Sequence, residues 1–213
     1  QHPVDGLIYP DRFIGLAEKY SLINVLTGKV LEQACIQAKV WQQAGYELKV
    51  AVNVSMDNLA SLDFQDVVVA LAAKAGIAPN KIVLEITESQ LMGDIRVSLE
   101  ILTRLRLKRF HLSIDDFGTG HSSLSQLRDI PFDELKIDQG FVRDMGHAED
   151  ALAIVCAVVG LGHALSLAVT AEGVETEGQR ERLAAMGCDE AQGFLFSAPM
   201  DPAAFARHFR ATC

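Results

Sequence analysis

Short runs rich in β-branched residues alternate with helix-like segments along the whole chain, and this alternation limits the fold more than any other feature. LKVAVNVS (48–55), KIVLEIT (81–87), RFHLSIDD (109–116), ELKID (134–138), LAVTAEG (167–173) and EAQGFLF (190–196) each have the length and residue types of a strand. DRFIGLAEKY and INVLTGKVLEQACIQAKVWQQAG precede the first of them as helical patterns. FQDVVVALAAKAG, VSLEILTRLRL, a short segment near SSLSQL, GFVRDM, an apolar helix from Asp150, QRERLAAMG and the closing PAAFARHF supply the helices that follow. A helix between successive strands is the connection a parallel pair needs, so the pattern predicts βα units and a largely parallel sheet. Six strands are expected in a single domain over residues 1–213, because no linker, charge block or low-complexity stretch divides the chain. Pattern alone is satisfied both by a doubly wound open sheet and by a (β/α)8 barrel.

Bulk properties exclude several functions. With 49% hydrophobic and 22% charged residues the chain is globular and not disordered. A formal net charge of −9 argues against a groove for a nucleic-acid polymer, which needs a basic stripe. It leaves room for a small anionic ligand neutralised locally by metal ions or placed cations. Cys35, Cys156, Cys188 and Cys213 lack metal-ligand spacing and are expected as free thiols in a reducing cytoplasm. ALAIVCAVVGLGHALSLAVT (151–170) has the length and apolarity of a membrane span, but Gly160, Gly162 and His163 interrupt it. A buried helix followed by a buried strand fits better, so no membrane contact by this domain is expected. No signal peptide opens the sequence, and a cytoplasmic location follows as an expectation, although a longer protein could be membrane-tethered.

The segment SIDDFGTGHSSL (113–124) sets Asp115 and Asp116 side by side where a strand hands over to a loop. Adjacent carboxylates raise each other's pKa unless something positive compensates. The pair alone could be a solvated turn, a helix cap, or half of a cation site. Singly, the other candidates also have plain roles. Asn53 could cap a turn, Glu85 could be an edge charge, Lys136 could bridge to Asp133 or Asp138, and Glu172 could be a helix-entry charge beside Glu175. Their joint placement is what separates the readings. The strands end, in order, on Asn53, Glu85, Asp115 with Asp116, Lys136, Glu172 and Gln192, and in parallel α/β folds the carboxyl ends of the strands face the ligand. All the donors are oxygens, without histidine or cysteine, which suits Mg²⁺, Mn²⁺ or Ca²⁺ and disfavours zinc. Asp115, Asp116 and Glu85 carry enough charge for two dications, an arrangement that recurs in phosphodiester cleavage. Lys136 would face a phosphate oxygen or the attacking water. His111 and His163 read as core or strand histidines, and His121 sits in the glycine-rich loop with no ligand partner nearby.

NVS (53–55), LEITES (84–89), IDDFGTGHSSL (114–124), LKID (135–138), AEGVET (171–176) and QGFLFSAP (192–199) together resemble the EAL domains, bacterial domains that hydrolyse cyclic di-GMP. The resemblance extends from Pro10–Phe13 across essentially the whole chain. It implies a TIM-like (β/α)8 barrel, here lacking the first two strands, and a Mg²⁺- or Mn²⁺-dependent phosphodiesterase that opens cyclic di-GMP to linear pGpG. By position, Asn53, Glu85, Asp115 and Asp116 resemble the family's ligands for two metal ions. Lys136 resembles the lysine that orients the attacking water, Glu172 the general base or water-mediated metal contact, and Gln192 the glutamine that holds a water. Asp138, Glu175 and Phe194 are expected to contact substrate. Glu88 resembles the glutamate that steadies the loop after the double aspartate, a loop implicated in dimer contacts, so a homodimer is expected.

The Glu-Ala-Leu glutamate, a companion arginine and two further strands are expected upstream of Gln1, with room before them for a sensory, receiver or GGDEF domain. Two positions depart from the family pattern: His121, where tyrosine is usual, and Ala198, where lysine is frequent. A catalytically silent EAL domain acting as a cyclic di-GMP receptor or regulatory module is the alternative. An unrelated metal-dependent barrel lyase would explain the acids but not the loop motifs. Rich in glycine and hydroxyl residues, FGTGHSS (117–123) is expected to be mobile unless packed, which would couple dimerisation to the placement of Asp115 and Asp116.

Overall fold

Six strands form one parallel sheet in chain order: β1 (Val50–Asn53), β2 (Ile82–Thr87), β3 (His111–Phe117), β4 (Glu134–Ile137), β5 (Ala168–Ala171) and β6 (Glu190–Ala191). The computed structural model describes residues 2–92, 95–120, 124–146 and 148–212. His121 and the rest of HSS (121–123) lie outside the described residues, and with them the expected mobility of that loop. Each strand pairs with the next one in sequence, with Asn53 opposite Glu85, Thr87 opposite Asp115 and Ser113 opposite Glu134. A doubly wound sheet would reverse direction at a switch point. Here every crossover steps the same way, as in the wall of a TIM-like barrel, which decides between the two architectures that the pattern allowed.

The helices are α1 (Ile14–Lys19), α2 (Ile23–Gln43), α3 (Met56–Leu59), α4 (Phe64–Ala75), α5 (Ile95–Leu107), α6 (Leu124–Asp129), α7 (Gln139–Asp144), α8 (Glu149–Ala164), α9 (Glu177–Ala185) and α10 (Pro202–Thr212). Strand side chains alternate between two faces. Ile82, Leu84, Ile86, Leu112, Ile114, Leu135, Ile137 and Val169 turn outward and are buried against Leu31, Ile101, Leu102, Leu105, Val155 and Val159 of the helices. The apolar core is therefore the layer between strands and helices. The opposite, concave face carries Glu85, His111, Glu134, Lys136 and Thr170, and lines a cavity of about 710 Å³.

Local chemistry sets the helix limits. Along α2 the buried residues Ile23, Thr27, Leu31, Cys35 and Ala38 follow a helical period, giving one stripe toward the core. α4 stops at Gly76, whose left-handed φ of 66° turns the chain back so that the Ile77 N–H reaches the Ala72 carbonyl at 3.1 Å. α8 buries Ala151, Val155, Val158, Val159 and Gly162, and a side chain at Gly162 would collide with Val169 of β5. That glycine serves close helix–strand packing. Among the described residues no helix is long and apolar enough to cross a membrane.

Two sequence expectations need correction, and one short helix was not anticipated. EAQGFLF was expected to be a full strand, yet β6 ends at Ala191. The chain turns because the Gly193 backbone presses on Val174, the Leu195 N–H donates to the Val174 carbonyl, and the Phe196 N–H donates back to Gly193. His163 is no core residue: it lies at the end of α8, is 44% exposed, and its Nε2 sits 3.0 Å from Asp189 Oδ2. The short helix α3 has no counterpart in the sequence reading. It is built by Ser55 and Asn58, which cap each other's backbone at its start. Cys35, Cys156 and Cys188 are free thiols.

Candidate functional site

Lys136, on the concave face of β4, organises the carboxyl ends of the strands. Its Nζ lies 2.7 Å from Glu85 Oε1 of β2, 3.2 Å from Asp115 Oδ1 of β3 and 2.5 Å from Glu172 Oε1 just after β5. One ammonium thus forms ion pairs with three carboxylates from three chain segments. The Lys136 side chain is only 6% exposed, so the cluster is largely shielded from water. Lys136 thus pairs with neither Asp133 nor Asp138. Asp133 instead meets Arg106 and accepts from the Leu112 N–H at 3.0 Å.

Two consecutive residues of a regular strand point to opposite faces, so adjacent aspartates should not share a site. β3 escapes this rule by an irregularity: its register with β4 shifts between Ile114 and Phe117, and Asp116 adopts a left-handed φ of 54°. The Asp116 N–H donates to Asp115 Oδ1 at 3.1 Å. As a result one carboxylate oxygen from each of Asp115, Asp116 and Glu172 lies within 4.8 Å of the others.

The electrostatics leave this cluster short of positive charge. Burial raises the Glu85 carboxyl above its ordinary pKa; Lys136 pulls it down, and Asp115 and Glu134 push it up again. Burial also raises Asp116, helped by Asp115 and Asp138. Glu172 is raised by burial against the opposing pull of Lys136. For Lys136 burial acts to lower the pKa, but Glu85 and Glu172 outweigh it and hold the ammonium above its usual value. One cation among four acids, with oxygen donors alone converging, fits a hard dication.

The other candidates surround this centre at varying distance. Asn53 stands opposite Glu85 in register, but its exposed side chain borders a separate hollow of about 480 Å³ with Ser55 and Gln90. Gln192 borders both the main cavity and a hollow of about 210 Å³ shared with Glu172, Glu175 and Phe194. Asp138 caps α7 by accepting the Gly140 N–H at 2.8 Å. Glu88, 3% exposed, accepts the Gly118 and Gly120 N–H groups on one oxygen at 2.8 and 2.9 Å, gripping the turn after the double aspartate.

Sequence reasoning missed the support beneath these residues. The Phe141 ring of α7 packs so close under Gly118 that an added Cβ would sit 2.7 Å from it, and Gln139 packs likewise against Gly173. Both glycines have positive φ, 101° and 68°. One short helix therefore backs the turn after Asp116 and the turn after Glu172. The T-x-x-Q pattern of Thr176 and Gln179 was a readable capping signal for the next helix.

Comparison with known proteins finds relatives of this arrangement. The EAL domain family model matches residues 1–199. The bifunctional diguanylate cyclase/cyclic di-GMP phosphodiesterase MucR of Pseudomonas aeruginosa is 44% identical over 201 residues, which is 94% of this chain and 29% of that protein. Among solved structures, the PaMucR phosphodiesterase–c-di-GMP complex superposes with a TM-score of 0.92 at 43% identity, covering 96% of this chain and 83% of that one. The Klebsiella pneumoniae BlrP1 manganese/cyclic di-GMP complex superposes with a TM-score of 0.72 at 31% identity, covering 81% and 45%. This chain thus spans less than a third of the length of MucR.

Proposed function

The chain belongs to the EAL domain family, and from that premise we propose that it is a metal-dependent phosphodiesterase opening cyclic di-GMP to linear pGpG. The observation that carries this reading is the meeting of Glu85, Asp115 and Glu172 on the Lys136 ammonium, with Asp116 beside them, at one mouth of the sheet. Asn53, Glu85, Asp115 and Asp116 would hold two Mg²⁺ or Mn²⁺ ions. Bound there, such ions make water more acidic and neutralise phosphate oxygens.

The chain's own residues then have distinct tasks. Lys136, held above its ordinary pKa by its carboxylate neighbours, stays an ammonium through the neutral range. It serves as a donor to a phosphate oxygen or to the attacking water and not as a base. Glu172, raised by burial, is the acceptor for the proton that water loses as its oxygen bonds to phosphorus and a ribose oxygen leaves. Gln192 supplies an amide to orient water. Phe194, 66% exposed at the rim, offers a ring face to a guanine base, with Asp138 and Glu175 flanking the substrate. Glu88 keeps the turn after Asp116 in place.

The greater length of MucR supports a multidomain protein of which residues 1–213 form part of the EAL domain, with a sensory, receiver or GGDEF domain upstream. We take it to work in the cytoplasm and as a homodimer. The test is turnover: the full-length protein with cyclic di-GMP and Mn²⁺ should yield pGpG, and Asp115→Asn should abolish the product. Equal turnover by that variant overturns the assignment. Tight binding of cyclic di-GMP by the wild type without any product converts the reading to a receptor.

A further inference from the structure

We propose that Gln179 is a positioning residue that locks the Glu172 turn to the helix backing the double aspartate. The inference rests on the phosphodiesterase reading for its kinetic part and on hydrogen bonds within the chain for the rest. Gln179 is the third residue of α9 and uses both ends of its amide. Its Oε1 accepts the Glu175 and Thr176 N–H groups, each at 2.9 Å, and lies 3.2 Å from Thr176 Oγ1. Its own N–H is capped in return by Thr176 Oγ1 at 3.3 Å. Up to this point it is an ordinary reciprocal cap.

The other end of the amide has no part in capping. Gln179 Nε2 donates to the Val142 carbonyl of α7 at 3.2 Å. Asp138 starts that helix two residues after Lys136, Phe141 lies under Gly118 beyond Asp115 and Asp116, and Gln139 lies against Gly173 beyond Glu172. α7 is thus wedged between the two turns that carry the acids, and Gln179 is the polar tie between the 173–176 turn and the wedge. A second tie, from Arg182 Nη1 to the Met145 carbonyl at 3.2 Å, joins the same two helices one turn further from the site.

Glutamate separates capping from tying. Gln179→Glu keeps an oxygen for the Glu175 and Thr176 N–H groups, since glutamate serves this capping position as well as glutamine. It removes the Nε2 donor to the Val142 carbonyl and sets a carboxylate against that carbonyl. In the full-length protein with Mn²⁺, Gln179→Glu should lower kcat by between about ten- and a hundredfold with KM within about twofold, the range seen when groups orienting a metal's ligands are removed. Its thermal midpoint should stay close to wild type. In the metal-free protein, amide hydrogen exchange should speed up in segments 138–145 and 172–176. Arg182→Ala, which loosens α9 away from the site, should leave turnover near wild type.

Wild-type turnover and unchanged exchange in Gln179→Glu overturn the inference, as does an equal loss of turnover in Arg182→Ala, which would make general docking of α9 the cause. If the wild type itself makes no pGpG, the phosphodiesterase reading fails and the exchange measurement still decides the role of Gln179.

Discussion

Replacing Lys136 by methionine removes the ammonium while nearly preserving side-chain volume, so the substitution isolates charge. Glu85, Asp115 and Glu172 would then face one another without their shared partner, all within a cluster whose lysine is 6% exposed. Removing one member of a buried ion cluster costs about 3–5 kcal/mol, because the remaining charges stay desolvated. For a domain of this size that corresponds to a thermal midpoint lower by about 6–20 °C. The pH dependence has a definite sign. Glu85, Asp116 and Glu172 already have raised folded-state pKa values, and loss of the lysine raises Glu85 and Glu172 further. A carboxyl raised on folding contributes stability below its unfolded pKa and loses it as the pH climbs through the folded value. Lys136→Met should therefore lie close to wild type in acid and fall away toward neutral pH. Differential scanning calorimetry in EDTA at about pH 5 and about pH 7.5 measures both arms. Added Mn²⁺ should narrow the neutral gap by replacing the lost positive charge. Equal midpoints at neutral pH without metal, or a gap that widens in acid, would refute the view that these acids depend on one lysine.

Two more outcomes probe the periphery. Glu88→Ala strips a charged acceptor from the Gly118 and Gly120 N–H groups; since water can replace part of it in this partly exposed turn, the cost should be about 1–3 kcal/mol. Faster amide exchange at both glycines checks it, and unchanged protection there counts against Glu88 as the clasp of the turn. Asp189 is held below its ordinary pKa first by the Val169 N–H at 2.8 Å and then by His163. Its contribution is present above the unfolded pKa and lost as the pH falls through the folded one, so the stability difference between wild type and Asp189→Asn in urea melts should shrink toward acid. A constant difference would remove Asp189 from the acid response.

The sheet and most of its acids were legible because both follow from local pattern. Glu85 and Lys136 stand out because each falls toward the carboxyl end of a short strand-like run, where parallel α/β folds place their ligand, and the structure sets them on the face opposite Ile82, Leu84, Ile86, Leu135 and Ile137. Illegible features were those decided by distant parts of the chain. EAQGFLF looks like strand throughout, yet the close approach of Gly193 to Val174 ends the pairing at Ala191. His163 looked apolar by its neighbours in sequence, whereas Asp189, 26 residues on, gives it a polar partner at the surface. The helix over GFVRDM was legible, but its place beneath the site was not, because Phe141 and Gln139 bear no catalytic chemistry. Their importance lies in what they touch.

The left-handed backbone of Asp116 governs how that position can be interrogated by mutagenesis. Among side chains with a Cβ, asparagine and aspartate tolerate this conformation best. Asparagine would erase the carboxylate while leaving the main-chain kink undisturbed, whereas alanine or valine would unbend the peptide as well as remove the charge. Only the first of these exchanges reports on the acid itself; the others mix its loss with a reshaped corner.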